Sequence, residues 1–316
     1  MKENNINSFY LRSFIIIIST TFLTLLGIHY IDIVLILFPV LFIVNSIQDG
    51  LSEGITNMVV TIIIISIVES LNTGIFLAIS FIPFTIMIST LIKKRKGSTK
   101  ILGFSSIVFF ISILTMLVIT KILGVDVVKY IETIFRDLLD SQLKSYKNLG
   151  LSNYEFFRMR EALEDAYKHV LLIIPSIFLI LSLFVSYINY WLSGIILGRL
   201  NIQIVNIPRF SKFSLPKNIM PGSLLMLGIT FLIGKLGFSY YEAVFINIGV
   251  LLMIGFFIQG VSVVDYILNK LRFNLIFKII FYITFVFNQS LISIITMIGL
   301  IDLIFDLRKI RKKRSL

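Results

Sequence analysis

The chain contains no cysteine, which excludes disulfide cross-links, thiolate nucleophiles and cysteine-held metals. Histidine is almost as scarce. His29 and His169 lie far apart in sequence at expected helix ends, where boundary roles fit them better than a metal or catalytic pair. Charge is scarce too, with 15% charged against 57% hydrophobic residues and a mean hydropathy of +0.97. A soluble domain must cover its perimeter with polar groups, so this balance suits a chain whose perimeter meets lipid. Three motif classes are missing from the sequence: a phosphate-binding G-x-x-x-x-G-K-[ST] loop, an H-E-x-x-H zinc pair and a G-x-S-x-G nucleophile elbow. No cofactor is therefore expected, transport powered by the chain's own ATP hydrolysis is disfavoured, and a membrane enzyme would have only dispersed carboxylates to work with.

What the chain has in abundance is apolar sequence in lengths that match a bilayer. At about 1.5 Å per residue, roughly 20 residues cross the hydrocarbon. Expected spans run from Phe9 to Gly27, Ile31 to Ile47, Ile55 to Val68, Thr73 to Ile92, Ile101 to Leu123, Val170 to Leu197, Gly222 to Ile233 and Tyr241 to Ile267. A final stretch, Phe273 to Phe305, is broken by Asn288-Gln289-Ser290 and reads as two short helices in a hairpin. The expected fold is all-α: a polytopic helical membrane bundle of eight spans plus a C-terminal short-helix hairpin. It divides into a five-span bundle (1–124), an amphipathic extracytoplasmic cap (125–169) and a C-terminal membrane bundle with a basic tail (170–316). The N-terminal apolar stretch lacks a small-residue cleavage signal, so the first helix is expected to be retained as an anchor.

Net charge of +12 would suggest nucleic acid in a soluble chain, but here the cations sit in short patches beside apolar segments. Lys93-Lys94-Arg95-Lys96 with Lys100, the acid-free connection from Gly198 to Lys217, and Arg308 to Arg314 mark the cytoplasmic side by the positive-inside rule. The reading is a bacterial inner-membrane protein with both termini cytoplasmic and no nucleic-acid partner. Residues 126–168 differ, with seven basic and eight acidic residues and apolar positions Val128, Ile131, Phe135, Leu138 and Leu139 at helical spacing. They suit an amphipathic cap on the membrane or over the bundle.

Carboxylates and amides within apolar segments are the candidate functional residues, because they are costly there unless paired, hydrated or used. Glu69, Asn72, Glu242 and Asn247 are expected toward the outer side, where they would border a cavity and orient a polar or cationic solute. Asp265 and Asp302 fall toward the inner side, where Arg272 or Arg308 would pair with them as structural ion pairs. Interfacial solvation is the plainer account of several of these groups. Spacings such as Gly50/Gly54 and Gly194/Gly198 permit close helix approach without choosing between internal packing and a partner protein.

In its C-terminal half the chain resembles the YybS-like family of bacterial multispanning membrane proteins. The resemblance rests on Pro221-Gly222, Asn247, Gln259-Gly260-Val261-Ser262-Val263-Val264, Ile298-Gly299-Leu300-Ile301-Asp302 and Phe305-Asp306-Leu307-Arg308-Lys309. It implies a bacterial inner-membrane protein whose N-terminal region is distantly similar to the substrate-binding subunits of energy-coupling-factor vitamin transporters. The Gly50-Leu51-Ser52-Glu53-Gly54 turn agrees with that similarity. The alanine pattern by which such subunits dock to an energising module is missing from span one, where Ser19, Thr20 and Thr21 stand.

Three functions follow in order: binding or transport of a small solute; a scaffold or interaction protein in envelope processes, using residues 125–169 as the protein-binding surface; and a membrane-embedded enzyme. Membrane lipid is a partner under each, and an energising module is a further candidate partner under the first. The cysteine-free background allows a direct test of orientation. Single cysteines at Ser98, Ser145, Ser211, Ser239 and Ser315 should label as inside, outside, inside, outside and inside. An outside Ser315 would overturn the terminal hairpin, and an inside Ser145 the whole orientation.

Overall fold

The computed structural model describes residues 2–124, 127–147, 153–237 and 239–310, and all regular structure among them is helical. The elements are α1 (Lys2–His29), a 3-10 turn (Asp32–Leu37), α2 (Val40–Gln48), α3 (Leu51–Val68), α4 (Leu71–Lys93), α5 (Ser98–Ile122), α6 (Val127–Lys147), α7 (Asn153–Arg199), a second 3-10 turn (Phe210–Lys212), α8 (Ile219–Lys235), α9 (Tyr241–Lys270), α10 (Leu275–Phe287) and α11 (Gln289–Phe305). The chain is an all-α polytopic membrane protein. Six helices, α1, α3, α4, α5, α7 and α9, are long and apolar enough to cross, and the bent pair α10–α11 makes a seventh if taken as one span.

The described structure thus carries six to seven candidate spans, against eight plus a hairpin expected from sequence. The physical reason lies in two short elements. Pro39 offers no N–H to a helical ladder, so the expected second span is a 3-10 turn followed by only nine residues of α2. Together they extend roughly 25 Å, short of a hydrocarbon core of about 30 Å. The expected seventh span, α8, has 17 residues. A second difference is that the helix carrying the expected sixth span begins well before Val170. α7 starts at Asn153 and continues for 47 residues, about 70 Å, so its charged first third extends the apolar part. Arg160 and Glu164, one turn apart at 2.9 Å, support that polar extension.

The chain forms two compact units, Met1–Asp165 with Ile177–Ile207, and Ala166–Ser176 with Pro208–Leu316. The core of the first is aromatic and aliphatic. Phe38, Phe42, Phe81, Phe84 and Phe109 interlock at ring separations of 5.2–5.5 Å, with Met58, Ile65, Leu77, Ile88 and Tyr190 buried around them. Gly54 lets α3 approach α2, since a Cβ there would strike Ser46 and the Phe42 carbonyl; Gly74 plays the same part against Ser66 where α4 meets α3. On α6 the apolar arc is divided. Ile131, Phe135 and Leu139 are half-buried and Leu143 is buried, whereas Tyr130, Ile134 and Leu138 are exposed.

In the second unit α9 and α11 cross at two glycines. A Cβ on Gly260 would fall on the Ile295 carbonyl, and one on Gly299 would fall on the Phe256 carbonyl. In lipid there is little hydrophobic drive between helices, so backbone approach at small residues supplies much of the attraction through close packing. The break expected at Asn288-Gln289-Ser290 is present. Asn288 caps α11, its Oδ1 accepting from the Ser290 and Leu291 amides, and the chain bends by 106° there.

Three helices, α4, α7 and α9, stop in one way. The amide three residues past each helix's last residue bonds back across five residues (Lys96 to Leu91, Ile202 to Leu197, Phe273 to Leu268), and the preceding amide bonds back across three. These are Schellman closures, which require a left-handed residue and usually take glycine. Arg95, Asn201 and Arg272 occupy those positions at φ of 47°, 61° and 58°.

Gly260→Val should collapse the α9–α11 crossing, because the obstructing atom is backbone and cannot move aside as a side chain does. We expect a loss of about 3 kcal/mol or more in unfolding experiments in detergent. Gly103→Val, where a Cβ has open space, should stay within about 1 kcal/mol. Equal losses at the two positions would contradict the crossing.

Candidate functional site

The most developed polar constellation in the second unit is centred on Arg308, just beyond the end of α11. A left-handed residue at Asp306 (φ 48°) turns the chain back so that the guanidinium points into the unit. Both Arg308 and Asp302 side chains are 2% exposed and meet at 2.8 Å. Arg308 Nη1 donates to the Ser211 carbonyl at 2.9 Å and to Ser262 Oγ at 2.7 Å; Nη2 donates to the Phe213 carbonyl at 2.8 Å and to Asp302 Oδ2; Nε donates to Asp302 at 3.2 Å. Each of the three guanidinium nitrogens is therefore bonded. Gln259 joins the set, donating to Asp302 Oδ2 at 2.6 Å while its Oε1 accepts from the Leu215 amide at 2.8 Å. Ser262 Oγ in turn donates a hydrogen bond to the Phe210 carbonyl at 2.6 Å. Asp302 Oδ1 alone is buried with no partner.

Removing two charges from water costs several kcal/mol per ion, which only such dense bonding offsets. The network fastens the 210–215 segment to α9 and α11. Gln259, Ser262, Asp302 and Arg308 of this network, and Gly260 and Gly299 of the helix crossing beside it, are among the residues that carried the sequence resemblance. Pairing of Asp302 with Arg308 agrees with the reading from sequence. Asp265 has other company, accepting from Tyr282 at 2.8 Å and Asn269 at 3.0 Å, with Lys278 at 4.0 Å.

Asn247, in the same unit, reaches the proline turn of α7. Ser176 N–H and the Leu172 carbonyl are i and i−4 groups of one helical turn, and Pro175 beside them has no N–H to give. The Asn247 carboxamide contacts both, its Oδ1 accepting from Ser176 N at 2.8 Å and its Nδ2 donating to the Leu172 carbonyl at 2.6 Å. Ser176 Oγ also donates to Oδ1, and Nδ2 also donates to the Ala243 carbonyl. All four hydrogen-bonding positions of the amide are thus used within the protein. Pro175 and Asn247 each stand out in the sequence, but nothing there says that they meet. Glu242 lies in the first turn of α9 and is exposed.

Glu69 and Asn72 belong to the first unit. Glu69 ends α3 and accepts from His29 at 2.8 Å, tying the ends of α1 and α3; Asn72 is exposed in the first turn of α4. A second polar chain joins α1, α2 and α3: Arg12 to Asp49 at 3.3 Å, Asn45 to Asp49 at 2.8 Å, Asn57 to Asn45 at 2.8 Å and Asn57 to Ser13 at 3.1 Å. Asn45 is fully buried.

Sequence reasoning missed a set of neutral polar oxygens deeper in this unit. Ser46 Oγ, Thr85 Oγ1, Ser89 Oγ, Ser186 Oγ and Asn189 Oδ1 belong to fully buried residues and have no hydrogen-bond partner among the described residues. Each such group costs about 1–3 kcal/mol. The only signal of the four hydroxyls in the sequence is small polar residues inside apolar helices, a pattern shared with ordinary helix packing, whereas Asn189 is visible there as an amide within an apolar span. Among the described residues no group of three or more His, Asp or Glu is placed to hold a metal.

Comparison with known proteins gives two matches. The family model described as predicted membrane protein (DUF2232) aligns with residues 13–303. The uncharacterized protein YybS of Bacillus subtilis (strain 168) is 23% identical over 280 residues, covering 87% of this chain and 88% of the relative. No solved structure matches.

The Arg308 network makes a quantitative prediction. Arg308→Met leaves Asp302 as a buried unpaired carboxylate and should cost about 3–5 kcal/mol, whereas the double variant D302L/R308M should recover part of that loss. Lys309→Met should stay within about 0.5 kcal/mol. Thermal unfolding in detergent reads all three, and a double variant as unstable as the sum of its singles would contradict the pairing.

Proposed function

The chain belongs to the predicted membrane protein family DUF2232, and from that premise we propose that this bacterial multi-pass membrane protein binds a small polar solute for transport. The observation that carries the reading is the set of unpartnered buried oxygens on Ser46, Thr85, Ser89, Ser186 and Asn189. The cost of leaving them bare is recovered when a solute supplies hydrogen-bond donors to them. The distant similarity to energy-coupling-factor substrate-binding subunits that the family resemblance implies belongs to the same proposal, and the lack of a nucleotide motif calls for ion coupling or a separate energising partner. Glu69 and Asn72 are proposed as ligand-contacting residues of the first unit. Glu242 and Asn247 are proposed likewise in the second, where Asn247 would have to exchange its bonds to α7 for the solute.

The proposed topology keeps both termini cytoplasmic. It counts α2 with its preceding turn and α8 as crossings and treats α10–α11 as a two-helix hairpin, giving eight spans plus the hairpin. The clustering of basic residues supports it. A scaffold role is favoured by one separate feature, the exposed apolar row Tyr130, Ile134 and Leu138 on α6, which suits a protein partner.

The test is thermal stabilisation of the purified protein across vitamins, amino acids, sugars and metal ions. One class should raise the melting temperature saturably, worth about 2.7 kcal/mol at a hundredfold excess over Kd. Thr85→Val and Ser89→Ala should weaken that shift without unfolding the protein. A panel with no saturable shift, together with a stoichiometric partner lost on deleting 127–147, would overturn the solute reading in favour of the scaffold.

A further inference from the structure

The turn between α4 and α5 concentrates positive charge in a way the fold does not require. Lys93, Lys94, Arg95, Lys96 and Lys100 are all exposed, and none has an ion-pair partner among the described residues. Elsewhere among the described residues Arg12 pairs with Asp49, Arg136 with Glu132, Arg160 with Glu164, Lys278 with Asp265 and Arg308 with Asp302. No acidic residue occurs anywhere from Ser70 to Val125, so the α4–α5 hairpin has none of its own to offer.

Backbone geometry sharpens the point. The Schellman closure of α4 fixes the reversal, with Lys96 N–H on the Leu91 carbonyl and Arg95 N–H on the Ile92 carbonyl, at 3.1 and 2.9 Å. Arg95 takes the left-handed position at φ 47°, where glycine is favoured, although Gly97 stands only two residues away. The chain thus holds a cation at the one position of this turn where a side chain is unfavourable. α4 and α5 are both long and apolar enough to cross the membrane, which places their joining turn at the headgroup level.

We propose that this turn is a binding site for the phosphate of anionic phospholipid headgroups. Five like charges crowded into eight residues repel one another until a counter-anion arrives. Phosphodiesters of the adjacent leaflet are the anions held at that depth, and Arg95 supplies a planar fork that matches phosphate oxygens. The lysines act as point charges around it, and the rigid turn keeps all of them at one end of the helix pair.

The experiment compares lipids bound to the full-length protein. Protein in detergent is titrated with phosphatidylglycerol, phosphatidylcholine or inorganic phosphate, and bound lipid and melting temperature are read by native mass spectrometry and thermal unfolding. Wild type should retain phosphatidylglycerol at least fivefold over phosphatidylcholine and be stabilised by it, with inorganic phosphate at the same concentration giving no comparable shift. K94Q/R95G/K96Q should lower the preference to below twofold. Arg95→Gly alone, which keeps the turn and relieves its left-handed residue, should lower it partially while leaving the lipid-free melting temperature equal or higher. Equal retention of both lipids by wild type, an unchanged preference in the triple variant, or stabilisation by inorganic phosphate equal to that by phosphatidylglycerol would each overturn the proposal.

Discussion

Hydrocarbon offers no hydrogen bonds, and this constraint governs where the chain can place every polar group. The Arg308 guanidinium shows how it is met. A charge buried so completely within the protein survives because all three of its nitrogens find acceptors: one carboxylate, two carbonyls and a hydroxyl. Because two of those acceptors are carbonyls of the 210–215 segment, satisfying the arginine also fixes the path of the chain. The same requirement explains Asn247, whose amide serves both ends of the helical turn beside Pro175, and the Asn45–Asn57 pair in the first unit. Each removes an exposed polar group from the apolar interior and in doing so pins one element to another.

Close packing is what brings these groups together. Gly260 and Gly299 let α9 and α11 approach until backbone meets backbone, and Gln259 and Asp302 stand within one turn of that crossing. A larger residue at either glycine would separate amide from carboxylate before it affected anything else. In the first unit, bulky phenylalanines do the filling, while Gly54 and Gly74 permit the approach of α2, α3 and α4.

Much of this was legible in the sequence. Apolar runs, the charge clusters and the Asn288 break fixed the helical membrane class and most element positions, and the Asp302–Arg308 pairing followed from two opposite charges near one helix end. What was not legible depended on contacts across long separations. Nothing local says that Asn247 braces a turn 71 residues earlier, or that a loop rich in lysine and proline is held inside by an arginine 95 residues later. Sequence and structure count spans differently at Pro39, whose missing N–H divides a run that hydropathy reads as continuous. The neutral buried oxygens of the proposed solute site escaped because serine and threonine inside a membrane helix usually bond their own backbone.

The central claim is that buried polar bonding, rather than apolar contact alone, holds the second unit in one arrangement. Hydrogen–deuterium exchange of the wild-type protein in lipid tests it most directly at residues 208–218, which by composition are a basic, proline-bearing loop. If Arg308 and Gln259 hold that segment as described, the amides of Lys212, Phe213 and Leu215 exchange slowly, at rates approaching those of α9. Exchange of the segment at the rate of an open surface loop, with α9 and α11 still protected, would contradict the account.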